Sequence, residues 1–186
     1  MGSDRGERAR GFYALSGTPG TGKSSVARAL PPALLGVELA DLSYGFGGRA
    51  AGRFVTEVDL PALARFVRRA RPSGPVVLAG HLAHRLPVRG IAVLRCHPAR
   101  LARRLRARPL SDDARRDNVV CEAIDLLAAE ARGTGRPVVE IDTTDLRPEE
   151  VGRRLARWIG GTPSDEPPVN WLADPSVPPL LSVGVV

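Results

Sequence analysis

The sequence predicts an α/β protein: a parallel sheet of about five strands with helices on both faces, in three layers. Three observations lead there. Short unbroken apolar runs recur along the chain, each with the length and composition of a strand buried on both sides. Stretches with apolar residues three and four apart separate them. A glycine-rich segment at residues 17–24 stands between the first run and the first such stretch, where a strand would hand the chain to a helix.

Taken in order, a polar leader at residues 1–11 precedes Phe12-Tyr13-Ala14-Leu15, a strand that ends at Ser16 and Gly17. A helix follows from Lys23 and is stopped by Pro31-Pro32. A second strand is expected near Val37-Glu38-Leu39, after which Gly45, Gly47, Gly48 and Gly52 mark a mobile insert. Asp59 reads as the N-cap of the next helix, with Pro61 in its first turn and Leu60, Leu63, Phe66 and Val67 at helical spacing. Val76-Val77-Leu78, Ile91-Ala92-Val93-Leu94 and Val138-Val139-Glu140-Ile141 supply three further strands. Between the last two, residues 98–108 and 118–132 each carry an apolar stripe, and each predicts one helix. The final helix begins after Asp145, with Glu149 and Glu150 early and Arg153, Arg154 and Arg157 late, as the helix dipole favours, and it stops at Gly160-Gly161. One domain over residues 12–161 is expected, followed by a Pro-rich arm at 162–186 that is extended and anchored by Trp171.

With 186 residues, 43% of them hydrophobic and 25% charged, the chain can bury one substantial core. No run approaches the ~18 consecutive apolar residues of a membrane span, and the first ten residues lack the apolar centre of a signal peptide. A cytoplasmic protein without a membrane partner is expected. Cys96 and Cys121 are too few for a disulfide framework and lack the paired spacing of a zinc site, so reduced and inert thiols are expected. The formal charge of +7 suits anionic partners such as nucleotides or RNA, and serves solubility equally well. Of the 27 basic residues only Lys23 is a lysine. It is kept where a compact ammonium fits between phosphates.

Gly17, Gly22, Lys23 and Ser24 match G-x-x-x-x-G-K-[ST], and the match lies between a predicted strand and a predicted helix. In that context backbone N–H groups converge on phosphate oxygens. Gly20 and Gly22 let the backbone come close, Lys23 reaches the β- and γ-phosphates, and the Ser24 hydroxyl can ligate Mg²⁺. The expected ligand is ATP or another nucleoside triphosphate with magnesium, and the expected architecture is the three-layer P-loop NTPase fold.

Beyond the loop, the chain carries Glu57-Val58-Asp59, Gly80-His81-Leu82-Ala83-His84, Val93-Leu94-Arg95-Cys96-His97-Pro98, residues 101–108, Asp117-Asn118-Val119-Val120-Cys121-Glu122, Glu140-Ile141-Asp142-Thr143-Thr144 and Asn170-Trp171-Leu172. From residue 12 to 172 the chain resembles a family of adenylate-kinase-like nucleoside monophosphate kinases of archaea and eukaryotic nuclei, linked to small ribosomal subunit maturation. The resemblance implies an NMP-kinase type of sheet and reversible phosphoryl transfer between ATP and AMP or a related monophosphate, with ATPase activity beside it. It also implies a small-subunit ribosomal protein and pre-ribosomal RNA as partners. Carried across by position, Gly20, Gly22, Lys23, Ser24, Ser25 and Arg108 hold ATP, Lys23, His81 and Arg108 are catalytic, and Ser24 is the metal ligand. The monophosphate insert falls at about 40–63 and a short lid at about 107–117.

Transfer to a monophosphate needs no strong base, because the acceptor is already anionic. Arg95, Arg103, Arg104, Arg106 and Arg108 can grip phosphates as planar guanidinium groups, or lie on a solvated helix face. Arg49 and Arg53 in the insert can bind the acceptor phosphate or simply lie on a surface loop. His81 and His84, three apart, suggest a metal pair without further ligands at zinc spacing; the family's histidine at position 81 aligns the hydrolytic water or the magnesium shell, and a structural histidine is the other reading. The chain departs from the family at Ala79, where an acidic residue usually stands before Gly-His. The magnesium shell thereby loses an anionic anchor, for which Asp41 and Asp59 are candidates. Pro109 and Asn170 are smaller departures. A second functional reading is an ATP-switched ribosome assembly factor with little kinase turnover; a shikimate-type kinase shares the loop and has no support outside it.

Overall fold

The apolar runs pair into one sheet. The computed structural model describes residues 10–39, 50–51, 55–56 and 59–182. Its strands are β1 (Gly11–Gly17), β2 (Leu35–Glu38), β3 (Ala50–Ala51), β4 (Val55–Thr56), β5 (Pro75–Ala79), β6 (Ile91–Arg95) and β7 (Val138–Asp142). Five of them form a parallel sheet in the order β2-β5-β1-β6-β7, while β3 and β4 make a separate antiparallel pair. Apart from that pair and Asp59 onward, the expected monophosphate insert, with Asp41, Arg49 and Arg53, lies outside the described residues.

The helices are α1 (Lys23–Arg28), α2 (Leu60–Arg69), α3 (Pro98–Arg106), α4 (Asp112–Ala123), α5 (Leu126–Gly133), α6 (Pro148–Ile159) and α7 (Val177–Ser182). Side chains that alternate along each strand sort the core into two halves. Phe12, Ala14, Val76, Leu78, Ile91 and Val93 pack with Leu63 and Val67 of α2 and Ala128 and Ala131 of α5. Tyr13, Leu15, Val77, Ala79, Ala92 and Leu94 pack with Val26 and Ala27 of α1 and Val151 and Leu155 of α6. The result is the three-layer arrangement expected. A smaller core of Cys96, Leu101, Leu105 and Val119 joins α3 to α4 beyond the strand ends. Burial pushes the Cys96 thiol up to about 11, so it is inert at neutral pH. No helix among the described residues is long and apolar enough to cross a membrane.

Local chemistry explains most boundaries. Asp59 caps α2 by accepting from Ala62 N at 2.8 Å, and His97 and Ser111 cap α3 and α4 through Ala99 N and Ala114 N. The helix expected over 118–132 is two helices. α4 starts earlier, and it ends before Asp125, whose φ of 67° is left-handed. The carboxylate of Asp125 pairs with Arg95 and Arg132, which holds the backbone in a conformation that no short-range pattern announces. The arm is also less extended than expected. Residues 163–170 have no regular structure, but Trp171 donates to Glu122 Oε1 at 3.0 Å, packs edge-on against His97 with ring centroids 5.2 Å apart, and leads to α7, where Val177 is fully buried.

A buried ion cluster closes the sheet at this end. Arg95, only 2% exposed, donates to Glu122 Oε1 at 2.9 Å and to Glu140 Oε2 at 2.6 Å, and pairs with Asp125; Arg132 pairs with Glu140 from outside. This corrects the reading of Arg95 as a phosphate-gripping residue, since carboxylates already occupy its guanidinium. Such a cluster is held together only while every member is present, because each buried ion costs several kcal/mol to dehydrate. Arg95→Met should therefore lower urea-unfolding stability by roughly 3–5 kcal/mol, and a loss under about 1 kcal/mol would contradict this account of the cluster.

Candidate functional site

β1 is the central strand, and the chain leaves it for edge strand β2, returns through β5 and crosses over to β6. Strand order reverses at that point, which opens a cleft at the carboxyl ends of the strands. Residues 17–22 form the loop there. Thr21 ties it to itself, donating to Thr18 O from both its backbone N (3.2 Å) and its hydroxyl (2.9 Å). At Gly20 (φ +96°) a Cβ would stand 2.7 Å from Leu101 Cδ1, so the loop is pressed against α3. At Gly22 (φ +104°) a Cβ would meet nothing within 4 Å, so this side of the loop is open. Both positions favour glycine through their left-handed backbone. The first N–H groups of α1 have no intrahelical acceptors, as a phosphate cradle requires.

Lys23 folds back over this cradle. Its Nζ donates to Gly17 O at 2.7 Å and Thr18 O at 2.9 Å. Loss of solvent pushes its pKa down to about 7, repulsion from Arg108 adds to that, and the carboxylates of Glu122 and Glu38 offset only part of it. An ammonium so placed is short of negative charge, which a polyphosphate would supply.

The Ser24 hydroxyl donates to Glu38 Oε2 at 2.9 Å, and Arg28 meets Glu38 Oε1 at 3.1 Å. Sequence reasoning did not single out Glu38. It ends β2, in register with Ala79 at the end of β5, so the carboxylate absent from Ala79 has a neighbour one strand away. Asp59 does not take that place, since its side chain caps α2. The donor set suits a hard divalent cation: hydroxyl and carboxylate oxygens beside a phosphate cradle. Among the described residues no three His, Cys, Asp or Glu side chains converge on a metal-sized site of their own.

Beside the loop lies a cavity of about 310 Å³ lined by Gly20, Gly22, Ser25, Arg104, Arg108 and Thr143, with Leu146, Pro148 and Val151 on its apolar side. Phosphate-binding backbone and apolar wall thus share one space. Arg108 follows α3 and is exposed at the cavity edge. Arg104 is a brace: it donates to Thr143 O at 2.8 Å and Thr144 O at 3.2 Å, and Thr143 in turn reaches Thr21 O at 2.9 Å. Arg103 and Arg106 are exposed on α3 and line no part of this cavity.

His81 and His84 part company. Both ring nitrogens of His84 are engaged, Nδ1 with Ser16 Oγ and Nε2 with Glu130 Oε2, each at 2.8 Å. Ser16 also donates to the carbonyl of His81 at 3.0 Å, so His84 positions the turn that carries His81. The His81 side chain is exposed, and its imidazole is near enough to Lys23 to sense its charge. Desolvation and then repulsion from Lys23 hold it below the ordinary histidine range, which keeps it neutral at pH 7.

The loop is also held from behind by a residue to which sequence reasoning gave no role. Thr18 donates to Glu122 Oε2 at 2.6 Å, and the other oxygen of Glu122 takes hydrogen bonds from Arg95, Cys96 N and Trp171. The available signal was an acidic residue on the buried side of a helix, within the segment 117–122 that carries the family resemblance.

Parallel sheet, phosphate loop and adjoining cavity define a P-loop NTPase fold. A family model described as an AAA domain matches residues 14–125. A protein named putative adenylate kinase from Thermococcus onnurineus (strain NA1) is 37% identical over 165 residues, covering 86% of this chain and 91% of its own. One of the same name from Pyrococcus furiosus is 41% identical over 151 residues, covering 80% and 83%. Among solved structures, a shikimate kinase from Bacteroides thetaiotaomicron aligns with a TM-score of 0.49 and 18% identity, over 81% of this chain and 98% of that one. The chain belongs to the adenylate-kinase-like nucleoside monophosphate kinase family.

Because Lys23 is the sole lysine, amine chemistry can report on it directly. Acylation of Lys23 by acetic anhydride, followed by mass spectrometry, should titrate with an apparent pKa of about 7 and be blocked by MgATP. Labelling that rises only near the ordinary lysine pKa of about 10.4 would contradict the enclosed ammonium.

Proposed function

We propose that the protein transfers the terminal phosphoryl group of ATP to AMP or a related nucleoside monophosphate, with Mg²⁺ as cofactor. The observation that carries this reading is the phosphate loop, with Lys23 folded back onto it and with Gly20, Thr21 and Gly22 lining the cavity edged by Arg108. The backbone at Gly20 and Gly22 would receive the phosphates. Lys23 would release the carbonyls of Gly17 and Thr18 and turn to the β- and γ-oxygens. Ser25 and Arg108 would hold the nucleotide on the cavity side, and Ser24 would hold magnesium, which when bound neutralises charge on the β- and γ-phosphates.

Arg108 lies near the start of the segment 107–117 that we assign as the lid, here a turn followed by the first half of α4. Its guanidinium can follow charge as it develops on the transferred group. The acceptor would enter from the insert at about 40–63. Because its phosphate is an anionic nucleophile, the residues need only align it and exclude water. Where water enters instead, neutral His81 can accept its proton through a hydrogen bond, which would account for an accompanying ATPase activity.

The family resemblance and the net charge of +7 extend the reading to a small-subunit ribosomal protein and pre-ribosomal RNA as partners. Nucleotide-dependent capture of such a ribosomal protein tests that extension, and equal absence of binding with ATP and ADP would remove it.

The kinase reading is tested by measuring ADP formation from ATP with and without AMP. We expect formation to depend on AMP, to fall by about 10²–10³ in Lys23→Ala through loss of a transition-state charge partner, and to show a raised KM for ATP in Arg108→Ala. ATP consumption of equal rate with and without every monophosphate would contradict it.

A further inference from the structure

The Ser24 hydroxyl has one proton and two lone pairs. A hydroxyl that holds a cation must keep a lone pair for it, and its proton then needs an acceptor elsewhere. Here that acceptor is Glu38, whose Oε2 takes the Ser24 proton at 2.9 Å. Nothing in the core requires a carboxylate at this position. β2 is an edge strand, Glu38 is its last residue, and among the described residues its other hydrogen-bond partner is the exposed Arg28 at 3.1 Å.

Parallel pairing places Glu38 opposite Ala79, and partners in register project to the same face of a sheet. Ala79 packs with Val26 and Ala27 of α1, so this is the face toward α1 and the start of the phosphate loop. The methyl group of Ala79 brings no charge to it, and Glu38 reaches Ser24 from the next strand. The same carboxylate is near enough to Lys23 to favour its charged form, which places it on the phosphate side of α1 as well as beside Arg28.

We propose that Glu38 is the anionic anchor of the magnesium site, accepting the Ser24 proton and holding the metal or its waters from the end of β2. This rests on the kinase reading and adds to it a residue that positions the cofactor. The role moves from the strand where a carboxylate is missing to the strand beside it. Arg28 pairs with the second oxygen of Glu38 at the surface, while the first is directed at Ser24.

The test separates nucleotide binding from its metal dependence. Binding of a fluorescent N-methylanthraniloyl ATP to the full chain is measured in EDTA and then across a Mg²⁺ titration, for wild type, Glu38→Gln and Glu38→Ala with Ala79→Asp. In EDTA, Glu38→Gln should bind the nucleotide at least as well as wild type, which also shows that the loop is folded. Its Mg²⁺ requirement should rise by about tenfold or more, the usual scale for losing a partner of a metal ligand. The double substitution should lower that requirement again by returning a carboxylate to the same face. An unchanged Mg²⁺ requirement in Glu38→Gln would overturn the proposal while leaving the kinase reading intact. Failure of wild type to bind nucleotide in either condition would remove both.

Discussion

The carboxylate of Glu122 is the point on which the rest of the structure depends. One of its oxygens holds Thr18 in the phosphate loop, and the other holds Arg95 and Cys96 at the end of β6 and Trp171 in the arm. It is 2% exposed, so no water can replace a missing partner at low cost. Loop, sheet end, helix α4 and carboxyl-terminal segment must therefore arrive together. The loop gains a fixed rear wall, and its open side at Gly22 faces the cleft.

The electrostatics divide along the same line. Behind the loop, charges are paired: Arg95 and Arg132 with Glu122, Asp125 and Glu140. In front of it, Lys23 is enclosed with two carbonyls and an unfavourable neighbour in Arg108. A lysine whose folded pKa is lowered from 10.5 to about 7 binds fewer protons folded than unfolded across that range. Its contribution to stability thus increases as pH rises through the window and is least favourable below it. In the proposed function the ligand brings the negative charge that this lysine lacks, in keeping with the trade between stability and function at active sites.

Much of the fold was legible because it is written locally. Val76 to Leu78 and Ile91 to Leu94 are short apolar runs bounded by turn residues, and a strand buried on both faces leaves little else for them to be. The phosphate loop was legible for the same reason, with glycine positions, lysine and serine all inside eight residues. What escaped depends on partners distant in sequence. The break at Asp125 comes from ion pairs with Arg95 and Arg132, and the helical stripe on either side of it gives no warning. Arg95 resembled any arginine near a strand end until the sheet brought Glu122 and Glu140 around it. Glu38 reaches Ser24 only because β2 pairs with β5 in one register, and a shift of one residue would turn it to the other face.

The proposed function rests on one claim, that the cleft at the phosphate loop holds a nucleoside triphosphate with its terminal phosphate directed at a second nucleotide. Calorimetric titration with diadenosine pentaphosphate, two adenosines joined by five phosphates, tests it most directly, since only adjoining donor and acceptor sites can take both ends. The account predicts one molecule bound per chain, more tightly than ATP or AMP alone, with the gain lost in Lys23→Ala. Binding no tighter than that of ATP would contradict it.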